Sequence, residues 1–497
     1  MTIKEIISFL EPKNQNLPFT EIKHDFKDIS TVIVPVVEGA EKELKTVFRF
    51  LKDEISGKKG EKKEVVHNNQ VFYFVGIGKE KDITSRNMRR FFGGAYLSAS
   101  ANKPKTIGLF CPPEWVKEAA LGVDVAALNP AMLKPKFKKE KEPDVILVHP
   151  DFKTKKAQAV KDMKRGQTIA EGKNLMRVLG TIPPNVLSPQ VYADIIIQLA
   201  KKWKVKCVRV PHAQLKKYGL INAVSAGSQH NSELLILTIH PKKGKTKKAT
   251  AMIGKGLCYD SGGLQGKQSH MKFMKEDMAG SASVLGTVWT IVKGGLAIRQ
   301  TTHFVIGLAE SMMGSRAMRA DDIYTAGDGQ TVEIIHTDAE GRLVLSDCIC
   351  YMKNNFKNID HFYTIATLTG SCIIALGEHY TGVVCNDEAL GCEVMKIGKE
   401  VGEYMYVGPW DLDYDDNNSP NASMANLGEN DREAGWVKAG LFIYRFVPKA
   451  KKESEQAKFS HFDIAATIDM HEKGKAWRRK GFSSGIGVGL LSKLLTN

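Results

Sequence analysis

The stretch TVEIIHTDAEGRLVLSDCICYMKNNF, Thr331 to Phe356, sets a strand, an acidic turn and a helix in that order. TVEII is apolar and β-branched, so it reads as a strand. GRLVLSDCICYMKNNF spaces its apolar residues as a helix does. Between them Asp338, Glu340 and Arg342 fall within five residues. Two carboxylates two positions apart, where a strand gives way to a turn, are expected to aim at one point. An arginine two residues on adds a fixed positive charge. Such convergence past a strand end points to a metal-assisted site in an α/β fold. Taken alone, the cluster also reads as a surface salt-bridge knot.

A second cluster lies upstream in AMIGKGLCYDSGGLQGKQSHMKFMKEDMAGSAS, Ala251 to Ser283. Ala251 to Ile253 reads as the end of a buried strand. Gly254-Lys255-Gly256 follows, then Asp260 before Ser261-Gly262-Gly263, then Lys267 and Asp277. Glycines beside charged residues supply turns and let backbone approach a ligand closely. Lys255, Asp260 and Asp277, with Asp338 and Glu340, make five oxygen or nitrogen donors. That suffices for two divalent ions sharing carboxylates, an arrangement with ions roughly 3.5–4 Å apart that lowers the pKa of the water they hold. Each residue alone has a plainer reading. Lysines are abundant here, Asp260 before Ser-Gly-Gly opens a turn, and Asp277 sits in a helical pattern with Met271, Met274 and Met278 as its apolar stripe. Their joint order and spacing favours a site.

The strings GKGLCYDSGGLQGK (Gly254 to Lys267) and HTDAEGR (His336 to Arg342) resemble the signature segments of the leucyl aminopeptidase family, hexameric two-metal peptidases of the cytosol. The resemblance extends to TIATLTGSCIIALGEHYTG (Thr364 to Gly382), FSHFDIAATIDM (Phe459 to Met470), KGFSSGIGVGLL (Lys480 to Leu491) and TIPPNVLSPQVYADI (Thr181 to Ile195), covering about residues 170 to 497. It implies that Asp260, Asp338 and Glu340 hold one ion. Lys255, Asp260, Asp277 and Glu340 would hold the other, with Asp260 and Glu340 bridging. A dication nearby would drive the proton from Lys255, since only the neutral amine is a ligand. The resemblance further implies Lys267 as the electrophile at the scissile carbonyl and Arg342 as holder of a bicarbonate that relays protons. Met274, Thr367, Gly370 and Ala465 match positions around the pocket for the substrate's first side chain. An apolar lining of that kind favours leucine-like or methionine-like N-termini. Zinc or manganese suits the mixed donors, and magnesium or cobalt is compatible with them. The implied substrates are peptides trimmed from the free amino end, and the implied assembly is a homo-hexamer.

The chain departs from the family pattern in places. Lys267 and Asp277 are separated by nine residues, one fewer than is usual, and Gln265-Gly266 and Gln268 flank the lysine. His270 and Lys272 stand where asparagine and aspartate are usual, and His336 replaces the asparagine before TDAEGR. Gly180 stands where asparagine is usual in the linker, and the loop before TVEII lacks its usual proline-glycine. None removes a proposed ligand; they bear on substrate and metal preference. Two other readings stay open: a retained fold acting as a binding protein, including for nucleic acid, and a two-metal phosphoesterase. Phosphoesterase sites more often carry histidine ligands, and neither cluster offers an HxH or HxD arrangement.

The 497 residues are too many for one ordinary core, so two domains are expected. Residues 1 to 150 form a smaller α/β domain in this reading, 151 to 180 a linker helix, and 181 to 497 a larger catalytic α/β domain with a central mixed sheet. In the first, STVIVPVVE, NQVFYFVGIG, PKTIGLFCP and PDVILVHP read as strands, with helices at Ala40–Ile55 and Thr84–Ala101. Gly76-Ile77-Gly78-Lys79 lacks a third glycine and the P-loop pattern, so it reads as a turn. In the second, ELLILTIHP, KATAMIG, THFVIGLAE, TVEIIHT and HFYTIATL read as strands, with helices at Met278–Gly295 and Gly341–Phe356. The polar loop Trp410 to Asp431 reads as a surface or interface segment.

No run of 18 apolar residues exists, so no membrane helix is expected. The N-terminus lacks a signal-peptide core, and eight cysteines without CxxC pairs fit a reducing cytoplasm. Net charge is +16, concentrated in lysine runs at Lys58–Lys63, Lys134–Lys141, Lys242–Lys248 and Lys449–Lys452. These runs have no aromatic interleaving and match no nucleic-acid module. They predict weak, salt-sensitive contact with polyanions rather than sequence-specific nucleic-acid binding.

Overall fold

Alternating apolar segments and amphipathic helices resolve into two α/β domains, a smaller N-terminal and a larger C-terminal one, each built on its own sheet. The computed structural model describes residues 1–497 except 16, 53, 135–140, 243–246, 429–432, 469–475 and 497. Parts of the lysine runs at 134–141 and 242–248, the end of the 410–431 loop and the end of FSHFDIAATIDM therefore lie outside the described residues.

The N-terminal strands are β1 (Thr20–Lys23), β2 (Thr31–Val37), β3 (Lys62–His67), β4 (Gln70–Gly78), β5 (Thr106–Phe110) and β6 (Asp144–Val148). They assemble in the order β1-β6-β5-β2-β4-β3, parallel except for the antiparallel edge pair β3 and β4. The four expected strands are present, and β1 and β3 are additions. β3 begins inside the lysine-rich run Lys58–Lys63. Lysines on an edge strand stay solvated and blunt the edge against further pairing. The helix expected over Ala40–Ile55 stops at Val47. Phe48 leaves the helical conformation and packs edge-on against Phe72, Phe74 and Phe110. The helix Val116–Ala127 carries no periodic signal, because nearly every residue of it is buried.

The helix Phe152–Thr181 joins the two halves. Its start, Phe152, Ala159 and Met163, packs in the N-terminal core. Its end, Leu175 to Leu179, packs in the C-terminal one.

The C-terminal strands are β7 (Lys206–Arg209), β8 (Glu233–Ile239), β9 (Ala249–Asp260), β10 (Thr301–Ser311), β11 (Ile323–Thr325), β12 (Thr331–Glu333), β13 (Ile359–Ala366), β14 (Thr381–Cys385), β15 (Met405–Val407), β16 (Met424–Ala425) and β17 (Lys458–Asp463). Eight form a mixed sheet in the order β15-β14-β17-β13-β9-β10-β8-β7, with β17, β13, β9 and β10 parallel at its centre. Two expectations are corrected. β9 does not end near Ile253 but runs through Gly254-Lys255-Gly256 to Asp260, paired with β10 through Leu257 and, after a register shift, again at Asp260. Its glycines serve packing rather than a turn: a Cβ at Gly254 would lie 2.6 Å from the Cα of Ser281 on the covering helix. β12 ends at Glu333 and belongs to a separate three-stranded sheet with β11 and β16. Among the described residues no helix is long and apolar enough to cross a membrane.

Candidate active site

The C-terminal ends of the central parallel strands converge on one cleft, the usual location for sites in open α/β sheets. β9 contributes Lys255 and, as its last residue, Asp260. Beyond it, the 3-10 stretch Met271–Glu276 replaces the expected α-helix, and Asp277 caps it. The turn starts at His270, held in the left-handed conformation at φ 63°. Glu340 is the N-cap of the helix Gly341–Asn355, which puts Arg342 in its first turn as expected. Thr367 follows β13, and Ala465 follows β17.

All eleven residues singled out from the sequence, Lys255, Asp260, Lys267, Met274, Asp277, Asp338, Glu340, Arg342, Thr367, Gly370 and Ala465, line this cleft of about 820 Å³, as do His270 and His336. Asp260, Asp277 and Glu340 are buried and present carboxylate oxygens all within 4.8 Å of one another. Asp338 stands outside this trio and is tied to it through Lys267, whose ammonium pairs with Asp338 and lies 2.6 Å from Asp260 Oδ2. The Lys255 ammonium lies 2.9 Å from Asp277 Oδ2 and 3.0 Å from Glu340 Oε1, and donates to the Thr367 carbonyl at 3.0 Å. Thr367 Oγ1 donates to Asp277 Oδ1 at 2.5 Å.

Burial pushes the Asp277 carboxyl up to about 7, against the pull of Lys255. Burial, with Glu340 beside it, also raises Asp338. Burial alone would lower both lysines, but the carboxylates around them outweigh it and hold both well above the ordinary lysine value. Two ammonium groups are thus seated where the carboxylates concentrate negative charge. Glu340 Oε2 nevertheless remains buried without a hydrogen-bond partner, a costly state for a carboxylate oxygen. A donor set of this kind fits divalent cations.

Supporting residues that sequence reasoning missed fix the loops. Asn426 accepts from the backbone N–H groups of Ile335 and His336 and donates to the carbonyls of His336 and Ala339. Its own carbonyl accepts from Arg342 Nη1 at 2.9 Å. The segment read as a surface or interface loop therefore runs inward here: β16 pairs with β12, and Asn417 and Asn426 are fully buried. Asp463 gathers the next loop, accepting from the N–H groups of Leu368, Thr369 and Ala465. Gln265, one of the unusual residues beside Lys267, locks to Thr337 in both directions. His336 Nδ1 accepts from the Asp338 N–H at 3.1 Å. Nothing in local spacing marks Asn426 or Asp463, because each acts on backbone about 90 residues away, within reach only after folding. A Cβ at Gly341 would fall 2.5 Å from Lys255 Nζ, so a larger residue there would push the ammonium off its carboxylate partners.

Comparison with known proteins follows the same division. The catalytic-domain model of the cytosol aminopeptidase family matches residues 174–492, and that family's N-terminal-domain model matches residues 36–128. A probable cytosol aminopeptidase of Phytoplasma mali (strain AT) is 34% identical over 445 residues, covering 85% of this chain and 84% of its own. One from Rickettsia massiliae (strain Mtu5) is 32% identical over 464 residues, covering 89% of each. Among solved structures, a tomato leucine aminopeptidase mutant superposes with a TM-score of 0.82 at 23% identity, over 97% of each chain, a likeness of fold. The bottromycin maturation enzyme BotP in complex with Mn gives a TM-score of 0.79 at 25% identity, over 94% of this chain and 99% of that one.

Proposed function

The chain belongs to the cytosol aminopeptidase family and is a metal-dependent aminopeptidase; on that premise we propose that it releases leucine-like N-terminal residues from peptides, using two divalent ions. The observation that carries this reading is the approach of Asp260, Asp277 and Glu340 to within 4.8 Å, with two lysines seated among the site's carboxylates. Asp260, Asp338 and Glu340 would hold one ion, and Lys255, Asp260, Asp277 and Glu340 the other. Zinc or manganese suits these donors best, with magnesium or cobalt compatible. Bound there, divalent ions supply a nucleophilic water at neutral pH and an anchor for the substrate's free amine.

The chain's own groups do the rest. Lys267, kept cationic by Asp260 and Asp338, donates to the scissile carbonyl oxygen as negative charge builds there. Arg342, oriented by the Asn426 carbonyl at a helix N-terminus, holds a bicarbonate-sized anion that takes and returns a proton. Met274, Thr367, Gly370 and Ala465 receive the first side chain, and buried Met274 supplies an adaptable apolar floor. Residues 1–150, 151–180 and 181–497 form the working division into N-terminal domain, linker and catalytic unit. The proposed assembly is a homo-hexamer acting in the cytoplasm.

The test is hydrolysis of a panel of N-terminal aminoacyl substrates with and without Mn²⁺ or Zn²⁺. Metal-dependent release, fastest with leucine or methionine, is expected. Silence across the panel with two metals demonstrably bound would overturn the reading.

A further inference from the structure

Between the two domains lies a cavity of about 90 Å³. A cavity of that size holds several water molecules, which is room for a small oxyanion. Arg86, Arg89 and Arg90 reach it from the first turns of the helix Ser85–Ser100. Lys173 reaches it from the linking helix, and Arg478 from the catalytic domain. Against these five cationic side chains, the described lining offers two carboxylates, Glu378 and Glu403.

The carboxylates nearby are already committed. Glu403 pairs with Lys173 and accepts from the backbone N–H groups of Gly487, Gly489 and Leu490. Glu118, buried alongside, takes Arg89 at 2.8 and 3.0 Å and Lys117 at 3.0 Å. Among the described residues Arg86 meets neutral groups: it donates to the carbonyls of Gly402 and His379, and its guanidinium carbon lies 3.3 Å from the Tyr404 ring centroid. Arg90 is half-buried and makes no hydrogen bond or ion pair among the described residues.

This arrangement is unfavourable as it stands. Arg86 and Arg90 are four residues apart on one helix face, a repulsive spacing for like charges. Arg86 also sits in the first turn, at the positive end of the helix dipole, where anions are favoured. Burial, with Arg90 adding to it, lowers Arg86 to about 10, and burial lowers Arg90 as well.

We propose that this interdomain cavity is a binding site for a small phosphate-class oxyanion, held by the Arg86 and Arg90 guanidinium groups and bridging the N-terminal domain to the catalytic one. Planar guanidinium forks match tetrahedral and carboxylate oxyanions, and phosphate carries the larger charge. The proposal is independent of the peptidase reading. Because Glu378 lines both this cavity and the peptidase cleft, the readout is thermal and calorimetric rather than turnover.

The experiment titrates inorganic phosphate into the full-length protein, with acetate and chloride at matched ionic strength as the other arms. Phosphate is expected to raise Tm saturably by a few degrees, and acetate less. Arg90→Gln is expected to weaken the phosphate response about tenfold or more, while melting in chloride no lower than the parent, since a repulsion has been relieved. Arg90→Lys, which keeps the charge without the fork, should fall between. An unsaturating rise shared equally by parent and Arg90→Gln would overturn the proposal, marking general salt stabilisation or phosphate held elsewhere, for instance at Arg342. An acetate response equal to that of phosphate would overturn it too.

Discussion

The peptidase cleft and the domain junction are both buried charge clusters, and they are unbalanced in opposite directions. In the cleft, Asp260, Asp277, Asp338 and Glu340 surround two lysines, and one carboxylate oxygen of Glu340 is left over. At the junction, cationic side chains outnumber the carboxylates of the described lining. Burying unmatched charge is expensive, and a fold keeps it where a bound ion of the opposite sign repays part of the cost. One cluster calls for cations, the other for an anion. The geometry of supply also differs. The cleft collects its carboxylates from a strand end, a 3-10 C-cap, a turn and a helix N-cap within one domain, whereas the junction draws its cations from both domains and the helix that joins them.

The largest effect should come from the cleft. Glu340→Ala removes one of the two carboxylates common to both proposed ion positions, Asp260 being the other. Peptidase activity is expected to fall to background and metal content, read by elemental analysis, to drop at one or both positions. Full turnover in a metal-depleted preparation would end the two-ion reading. Next comes the junction. Glu403→Gln leaves Lys173 buried without its countercharge and should destabilise the fold by about 3–5 kcal/mol in chemical denaturation. The still-folded enzyme should keep its kcat. A stability change near zero would mean that the junction tolerates unpaired cations, which would weaken the contrast drawn here.

Lys267→Ala sharpens the cleft side. Both metals should stay while kcat falls roughly 10²–10³-fold, the usual cost of losing one donor to a developing oxyanion. Loss of metal, with a normal rate once metal is restored, would make Lys267 structural. The smallest effect is expected at Asn426. Asn426→Ala strips hydrogen bonds from the loop before Glu340 and should cost about 1–3 kcal/mol. Because the same residue orients Arg342, kcat should fall more than KM rises. An unchanged kcat would show that Arg342 keeps its position without the Asn426 side chain, whose loss leaves the main-chain carbonyl in place.

The catalytic half was the more legible one. Its site residues lie in two short strings, and glycines and charges at fixed spacing are a local signal. Even there, Ala251 to Ile253 read as the end of a strand that runs on to Asp260, because glycine serves close packing against a helix as well as it serves turns. In the N-terminal domain, β3 was hidden by lysines and Val116–Ala127 by its uniform burial, which erases the helical stripe. The short helix ending at Val47 was decided by Phe48, drawn into an aromatic cluster that no local propensity describes.

By itself the sequence determined the fold class, the family and the residues of the cleft, because each is written in local order: strand, turn and helix patterns, and donor types at fixed spacing. Tertiary structure alone decided that Asn426 holds the loop before Glu340, that Asp463 gathers the loop after β13, and that Arg86 and Arg90 share a cavity with Lys173. Those are contacts between residues tens to hundreds of positions apart. Hydrogen bonds and Coulomb forces act over a few ångströms, so such partners have no signature in the chain until folding brings them together.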